Sequence, residues 1–211
     1  MRHRSGNPVT RSLMIPREKV ALVDTWHVTG LAGSGSTDYR VDDAFVPEGR
    51  WLQLPTAVPR LDGPQWRFPF YGMLAAGVAA VAVGLLNGAV DRFAEIAVDK
   101  KPEGSGRTLS ERASGQTVLS NTEATARSSL AFLHDVLGEA WETAQTGDPL
   151  TVEHRRSLRL AACDAAPRCA DALGHLQREA GGSAVYLRCL LYTSDAADDT
   201  PCVDLGGRRI I

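Results

Sequence analysis

A chain of 211 residues is long enough for one domain with a real core, or for two small ones. Its net charge of −2 and isoelectric point near 6.2 offer no basic face for nucleic acid or an anionic membrane. Four cysteines are too few for a disulfide framework, and Cys163 and Cys169 have no histidine at zinc spacing, so no metal site and a reducing, cytoplasmic setting are expected.

The first twelve residues hold no apolar run of the kind a secretory signal needs. Residues 9–60 read as β structure. Short runs at 9–16, 19–24, 26–31 and 39–47 are rich in Val, Leu, Trp, Tyr and Phe. Pro16, Asp24 and the group from Gly33 to Ser36 separate them, and Pro55, Pro59 and Pro64 mark a linker.

Residues 66–100 read as the first long helix. The stretch 68–90 carries no charge in 23 residues, formally enough to span a bilayer. Six alanines, four glycines and Asn87 weaken that reading, so a buried helix of a soluble bundle is expected. Gly72, Ala76, Ala80, Gly84 and Gly88 recur every four residues and lay small side chains along one face, where a partner can approach closely.

Thr108 with Glu111 has the capping-box pattern and is expected to open the second helix. Its apolar stripe runs through Ala126, Leu130, Leu133, Leu137, Trp141 and Ala144, and Gly147, Asp148 and Pro149 stop it. The third helix starts at Thr151. Leu158, Ala162, Ala165, Cys169, Leu173, Leu176 and Ala180 form its core face, with Pro167 expected to kink it. Gly181 falls where a left-handed C-cap belongs. Long helices joined by short turns make an antiparallel bundle, so the fold class is α+β: a β segment followed by a helical bundle.

Few groups promise chemistry. Gly30, Gly33 and Gly35 have the reverse of dinucleotide-loop spacing and precede a strand, so they read as a turn. Asp42 and Asp43, if on a strand, face opposite sides and make no acid–base dyad. Arg112 and Gln116 lie one helical turn apart. They are either solvated surface residues or an anion-binding pair, since a guanidinium forks onto phosphate oxygens. Gly181 and Gly182 are either a plain helix stop or a backbone surface open to a pyrophosphate. Trp66 and Tyr71 open the first helix as core aromatics or as pocket walls.

The stretch 24–47 reads DTWHVTGLAGSGSTDYRVDDAFVP. Trp26, Val28, Gly30, Leu31, Gly33, Ser34, Gly35, Ser36, Asp38, Val41, Asp43, Phe45, Val46 and Pro47 follow in an order that resembles the middle β-domain of the acyl-CoA dehydrogenase superfamily. Residues 177–186, QREAGGSAVY, resemble that family's Q-x-x-G-G-x-G-Y turn. Ser183 or Ala184 stands where dehydrogenases prefer glycine, a departure shared with the hydroxylase-like branch that carries the type-2 C-terminal helical domain. The resemblance divides the chain into a partial β-domain at 1–60 and a four-helix bundle lacking its last helix at 61–188. Residues 189–211 break with this pattern. They resemble translated sequencing adapter and are expected to be non-native, with the genuine sequence ending near Arg188.

The resemblance implies an FAD-dependent oxidoreductase that carries out α,β-dehydrogenation of a CoA thioester. No Glu in 66–188 matches the family's base, which leaves the catalytic residue unassigned. The alternative on the same fold is a two-component flavin-dependent monooxygenase, which takes reduced FMN or FAD as co-substrate from a flavin reductase and hydroxylates an aromatic substrate. In either case the resemblance assigns Arg112, Gln116, Gly181 and Gly182 to the cofactor and Tyr71 to the substrate pocket. It also implies a homotetramer or homodimer, because family flavin sites draw on a neighbouring subunit. Without an N-terminal domain and a last helix, the chain as it stands is expected to bind flavin poorly and to be inactive.

Overall fold

A computed structural model of the protein describes residues 10–28, 32–54 and 56–185. Gly30, Leu31 and the 189–211 tail lie outside the described residues. Among the described residues four short strands come first: β1 (Ser12–Leu13), β2 (Ala21–Val23), β3 (Asp38–Arg40) and β4 (Trp51–Leu52). β1 pairs antiparallel with β4, Ser12 opposite Leu52, and β2 pairs antiparallel with β3, Leu22 opposite Tyr39.

Two threonines close the β2–β3 ladder. The Thr25 N–H donates to Thr37 Oγ1 at 3.2 Å, the Asp38 N–H donates to Thr25 Oγ1 at 3.1 Å, and the Thr37 hydroxyl donates to the Val23 carbonyl. None of the described residues in 10–60 is buried, and two-stranded ladders without a core are marginal alone.

The expected strand at 39–47 is shorter, and the described part of the one expected at 26–31 is not a strand. Residues 26–28 belong to no strand, and β3 ends at Arg40. Asp43 has a left-handed backbone (φ 48°), which breaks strand geometry, and Asp42 pairs with Arg40 at 3.0 Å. The two carboxylates therefore do not face opposite sides of a strand. β4 was not anticipated.

A 3-10 turn, Pro64–Arg67, leads into three helices: α1 (Phe70–Asp99), α2 (Ala113–Thr146) and α3 (Val152–Ala180). α1 buries Ala79, Val83, Leu86, Ala89, Phe93 and Ala97, a row at helical spacing. All seven expected core positions of α3 are buried, and the helix runs unbroken through Pro167. Its capping box is made with a histidine: Thr151 Oγ1 accepts the His154 N–H at 3.3 Å, and His154 Nδ1 accepts the Thr151 N–H at 3.2 Å.

On α2 the buried row is rotated from the expected one. Ala126, Leu133 and Ala144 are buried, but Leu130 and Trp141 are 37% and 39% exposed. Ser129, Val136 and Ala140 sit in the seam instead. Helices approach most closely over small side chains, which pushes the large ones to the flanks.

The second helix also starts later than expected, at Ala113. Residues 108–112 form tight turns, with the Glu111 N–H donating to the Thr108 carbonyl and the Arg112 N–H to the Leu109 carbonyl, both at 3.2 Å. Half of the predicted box exists, since Glu111 Oε2 accepts the Thr108 N–H at 2.8 Å. The other half is diverted, because the Thr108 hydroxyl pairs with Ser110 Oγ. Leu109 is only 1% exposed, and its N–H and that of Ser110 bond the Lys100 and Ala97 carbonyls at 2.9 Å each. Anchoring Leu109 in the core this way takes the segment off a helical path.

α1 is buried on one side only. Tyr71, Leu74, Val78, Val81 and Leu85 are exposed. Ala80, Gly84 and Gly88 lie on this open side, with nothing within 4 Å of a Cβ built at either glycine. By length and composition alone α1 is also apolar enough to cross a membrane, although its other side lies in the bundle core.

Candidate functional site at one end of the bundle

The end where α1 finishes, α2 begins and α3 finishes gathers four of the five predicted site residues. Arg112 is the N-cap of α2 and makes no side-chain cap hydrogen bond, so no cap side chain offsets the partial positive charge of the helix start. The Arg112 guanidinium forms no ion pair among the described residues. Ser114 Oγ donates to Glu179 Oε1 at 2.7 Å and ties the start of α2 to the last turn of α3.

Two residues beyond Glu179, Gly181 takes φ 59° and ψ −148°, a combination open only to glycine, and its N–H donates to the Gln177 carbonyl. The expected C-cap is thus glycine-dependent, but its ψ is extended rather than left-handed helical. A Cβ built at Gly181 or Gly182 meets nothing within 4 Å, so the backbone there is open to a ligand.

Gln116 also has a role within the fold. Its Nε2 donates to the Ser110 carbonyl at 2.8 Å, which braces the 108–112 turn. Beside it lies an open depression of roughly 680 Å³ lined by Glu103, Ser105, Arg107, Arg112 and Ser114. Two of the acids at this end are engaged, while Glu103 is exposed on the rim. Glu179 holds Ser114, and the Thr108 N–H and hydroxyl hold the Glu111 carboxyl below the usual range, helped by Lys101 and Arg107. The arrangement can bind an anion with Arg112, helix N–H groups and turn amides.

Tyr71 is not part of this cluster. It lies near the start of α1, about 40 Å from Lys100 at 1.5 Å per residue, and is 65% exposed. At that end Arg67 donates to the Ala144 carbonyl at the C-terminus of α2, where the helix dipole favours a cation. Phe68 packs on Trp141 with ring centroids 6.0 Å apart, and Phe70 meets Tyr71 edge-on at 5.4 Å. These contacts fix where α1 begins.

Lys100, Ser114 and Glu179 were missed in the sequence, and Ser183 was noted only, with Ala184, as a departure from the family's glycine. A lysine at a helix end reads as ordinary C-terminal charge, and no spacing links residues so far apart. Among the described residues no three His, Cys, Asp or Glu side chains stand together as metal ligands.

The chain is 30% identical over 176 residues to an indole-3-acetate monooxygenase of Pseudomonas putida, covering 83% of this chain and 45% of that protein. Its fold matches the 3-HSA hydroxylase of Rhodococcus sp. RHA1 with a TM-score of 0.80 at 23% identity, over 92% of this chain and 55% of that one. It also matches XiaF from Streptomyces sp., solved with FADH2 and glycerol, with a TM-score of 0.78 at 20% identity, over 91% and 50% of the two chains. The chain thus spans about half the length of these proteins. Residues 76–191, more than half of the sequence, match the family described as "Acyl-CoA dehydrogenase, C-terminal domain", and the protein belongs to that family.

Proposed function

We propose that the intact protein is the oxygenase component of a two-component flavin-dependent hydroxylase acting on an aromatic substrate in the cytoplasm. The observation that carries this reading is the identity with an indole-3-acetate monooxygenase along most of the chain. The presence of FADH2 in a protein of the same fold supports a reduced flavin as co-substrate, delivered by a partner reductase. These relationships favour hydroxylation over the α,β-dehydrogenation of a CoA thioester that the resemblance first suggested.

When bound, the reduced flavin supplies the two electrons that send one oxygen atom of O2 to the substrate and the other to water. The chain's own residues bind and orient. Arg112, the first N–H groups of α2 and the Gly181–Gly182 backbone take the diphosphate of FAD, while Gln116 holds the turn that carries Arg112. Tyr71, at the far end, borders the substrate. Two ends about 40 Å apart serve two different flavins. Each site is therefore completed by another copy, in a homodimer or homotetramer. The exposed apolar side of α1 fits that assembly, because such a face rarely stays in water. Division of the chain into a β part at 1–60 and a bundle at 61–188 belongs to the same reading.

The test is aerobic turnover of the intact gene product with a flavin reductase, NADH, FAD and indole-3-acetate. A product heavier by one oxygen atom, with no acyl-CoA oxidation in the presence of a dye acceptor, is expected. Acyl-CoA-dependent dye reduction without hydroxylation would return the assignment to the dehydrogenase.

A further inference from the structure

The Lys100 ammonium donates to Ser183 Oγ at 2.6 Å, joining the end of α1 to the 3-10 turn Gly181–Val185 across 83 positions of sequence. Both residues are half-buried. An ammonium can only donate, so Ser183 Oγ is the acceptor in this bond and its own hydrogen is free to point elsewhere. Among the described residues no acceptor takes that hydrogen. Just before Ser183, the space outside Gly181 and Gly182 is open. The Ser114–Glu179 bond brings the start of α2, and Arg112 with it, to the same turn of α3.

We propose that Lys100 is a positioning residue of the phosphate site. It fixes the Ser183 hydroxyl as a donor and holds the Gly181–Gly182 turn against α1, so that the hydroxyl, the turn amides and Arg112 address one phosphate group. This inference rests on the flavin reading above. Lys100 also faces the carbonyl ends of α1 and α3, where a cation is favourable, so stability and binding must be read separately.

The experiment is an NMR titration of the 211-residue chain with inorganic pyrophosphate, with thermal unfolding of each variant alongside. Saturable shifts are expected at the Gly181, Gly182 and Ser183 amides. Lys100→Met and Ser183→Ala should each weaken them about tenfold. The double variant should be no weaker than either single one, Lys100→Arg should restore binding, and Lys101→Met should leave it unchanged. Ser183→Ala keeps the full charge and decides the matter if Lys100→Met fails to fold. Losses that multiply in the double variant, or a Lys100→Met loss equal to that of Lys101→Met, would overturn the positioning role while the phosphate site stands. Absence of any shift at those amides would overturn both.

Discussion

The Leu109 carbonyl packs directly on Gly115. A Cβ built at Gly115 stands 3.1 Å from the Leu109 carbonyl carbon and closer still to its oxygen. This contact lets the 108–112 turn fold onto the first turn of α2 and puts Arg112 at the N-cap. Gly115→Ala forces backbone apart, unlike most helical glycine-to-alanine changes. It should cost about 1–3 kcal/mol in urea unfolding. A gain in stability would mean that the turn yields freely and does not place Arg112.

Glu111 makes the same turn sensitive to acid. Its carboxylate accepts the Thr108 N–H, which together with the Thr108 hydroxyl holds its pKa below the ordinary 4.5. A lowered folded pKa means the contribution is complete above 4.5 and is lost as pH falls through the folded value. Thermal midpoints followed from neutral to acid pH should fall less steeply in Glu111→Gln than in the parent. Parallel curves would sink the assignment.

Ser129 is buried between α2 and α3, 1% exposed, and its hydroxyl has no hydrogen-bond partner of normal geometry. It faces the Cys169 thiol, whose ionisation burial pushes upward. A thiol is a weak partner, so the hydroxyl is poorly compensated for leaving water. Ser129→Ala removes that group with little change of shape and should leave stability unchanged or raise it by up to about 1 kcal/mol. A clear loss in denaturant unfolding would show that the Ser129–Cys169 contact is a working bond.

Gly84 tests the proposed assembly apart from the fold of one chain. Nothing lies within 4 Å of a Cβ placed there. Gly84→Ala should stabilise the single bundle by about 0.5–1 kcal/mol, the usual helix preference. On the proposed homo-oligomer, Gly84→Leu should keep the bundle folded but shift the protein toward monomer in sedimentation, since a large side chain stops close approach. An unchanged oligomer would move the interface off this side of α1.

The helices were legible because each carries one apolar row at helical spacing between clear stops, and α3 follows its row at every expected position. The glycine pair at 181 and 182 was legible too, since a helix stop of that kind leaves a mark in composition. What periodicity cannot say is which of two neighbouring apolar rows faces the partner. On α2 the seam went to Ser129, Val136 and Ala140 and left Leu130 and Trp141 at the edge, because the distance between helices decides it. The start of α2 at Ala113 likewise followed from Leu109 entering the core, a long-range event that overrode a local capping pattern. The site divides in the same way. Its residue types, an arginine and two glycines, stood in the sequence. Their meeting at one end of the bundle, the Lys100–Ser183 and Ser114–Glu179 bonds that join them, and the separation of Tyr71 from them came only with the antiparallel packing of three long helices. Local preference acts within a turn or two, whereas these contacts span 65 and 83 residues.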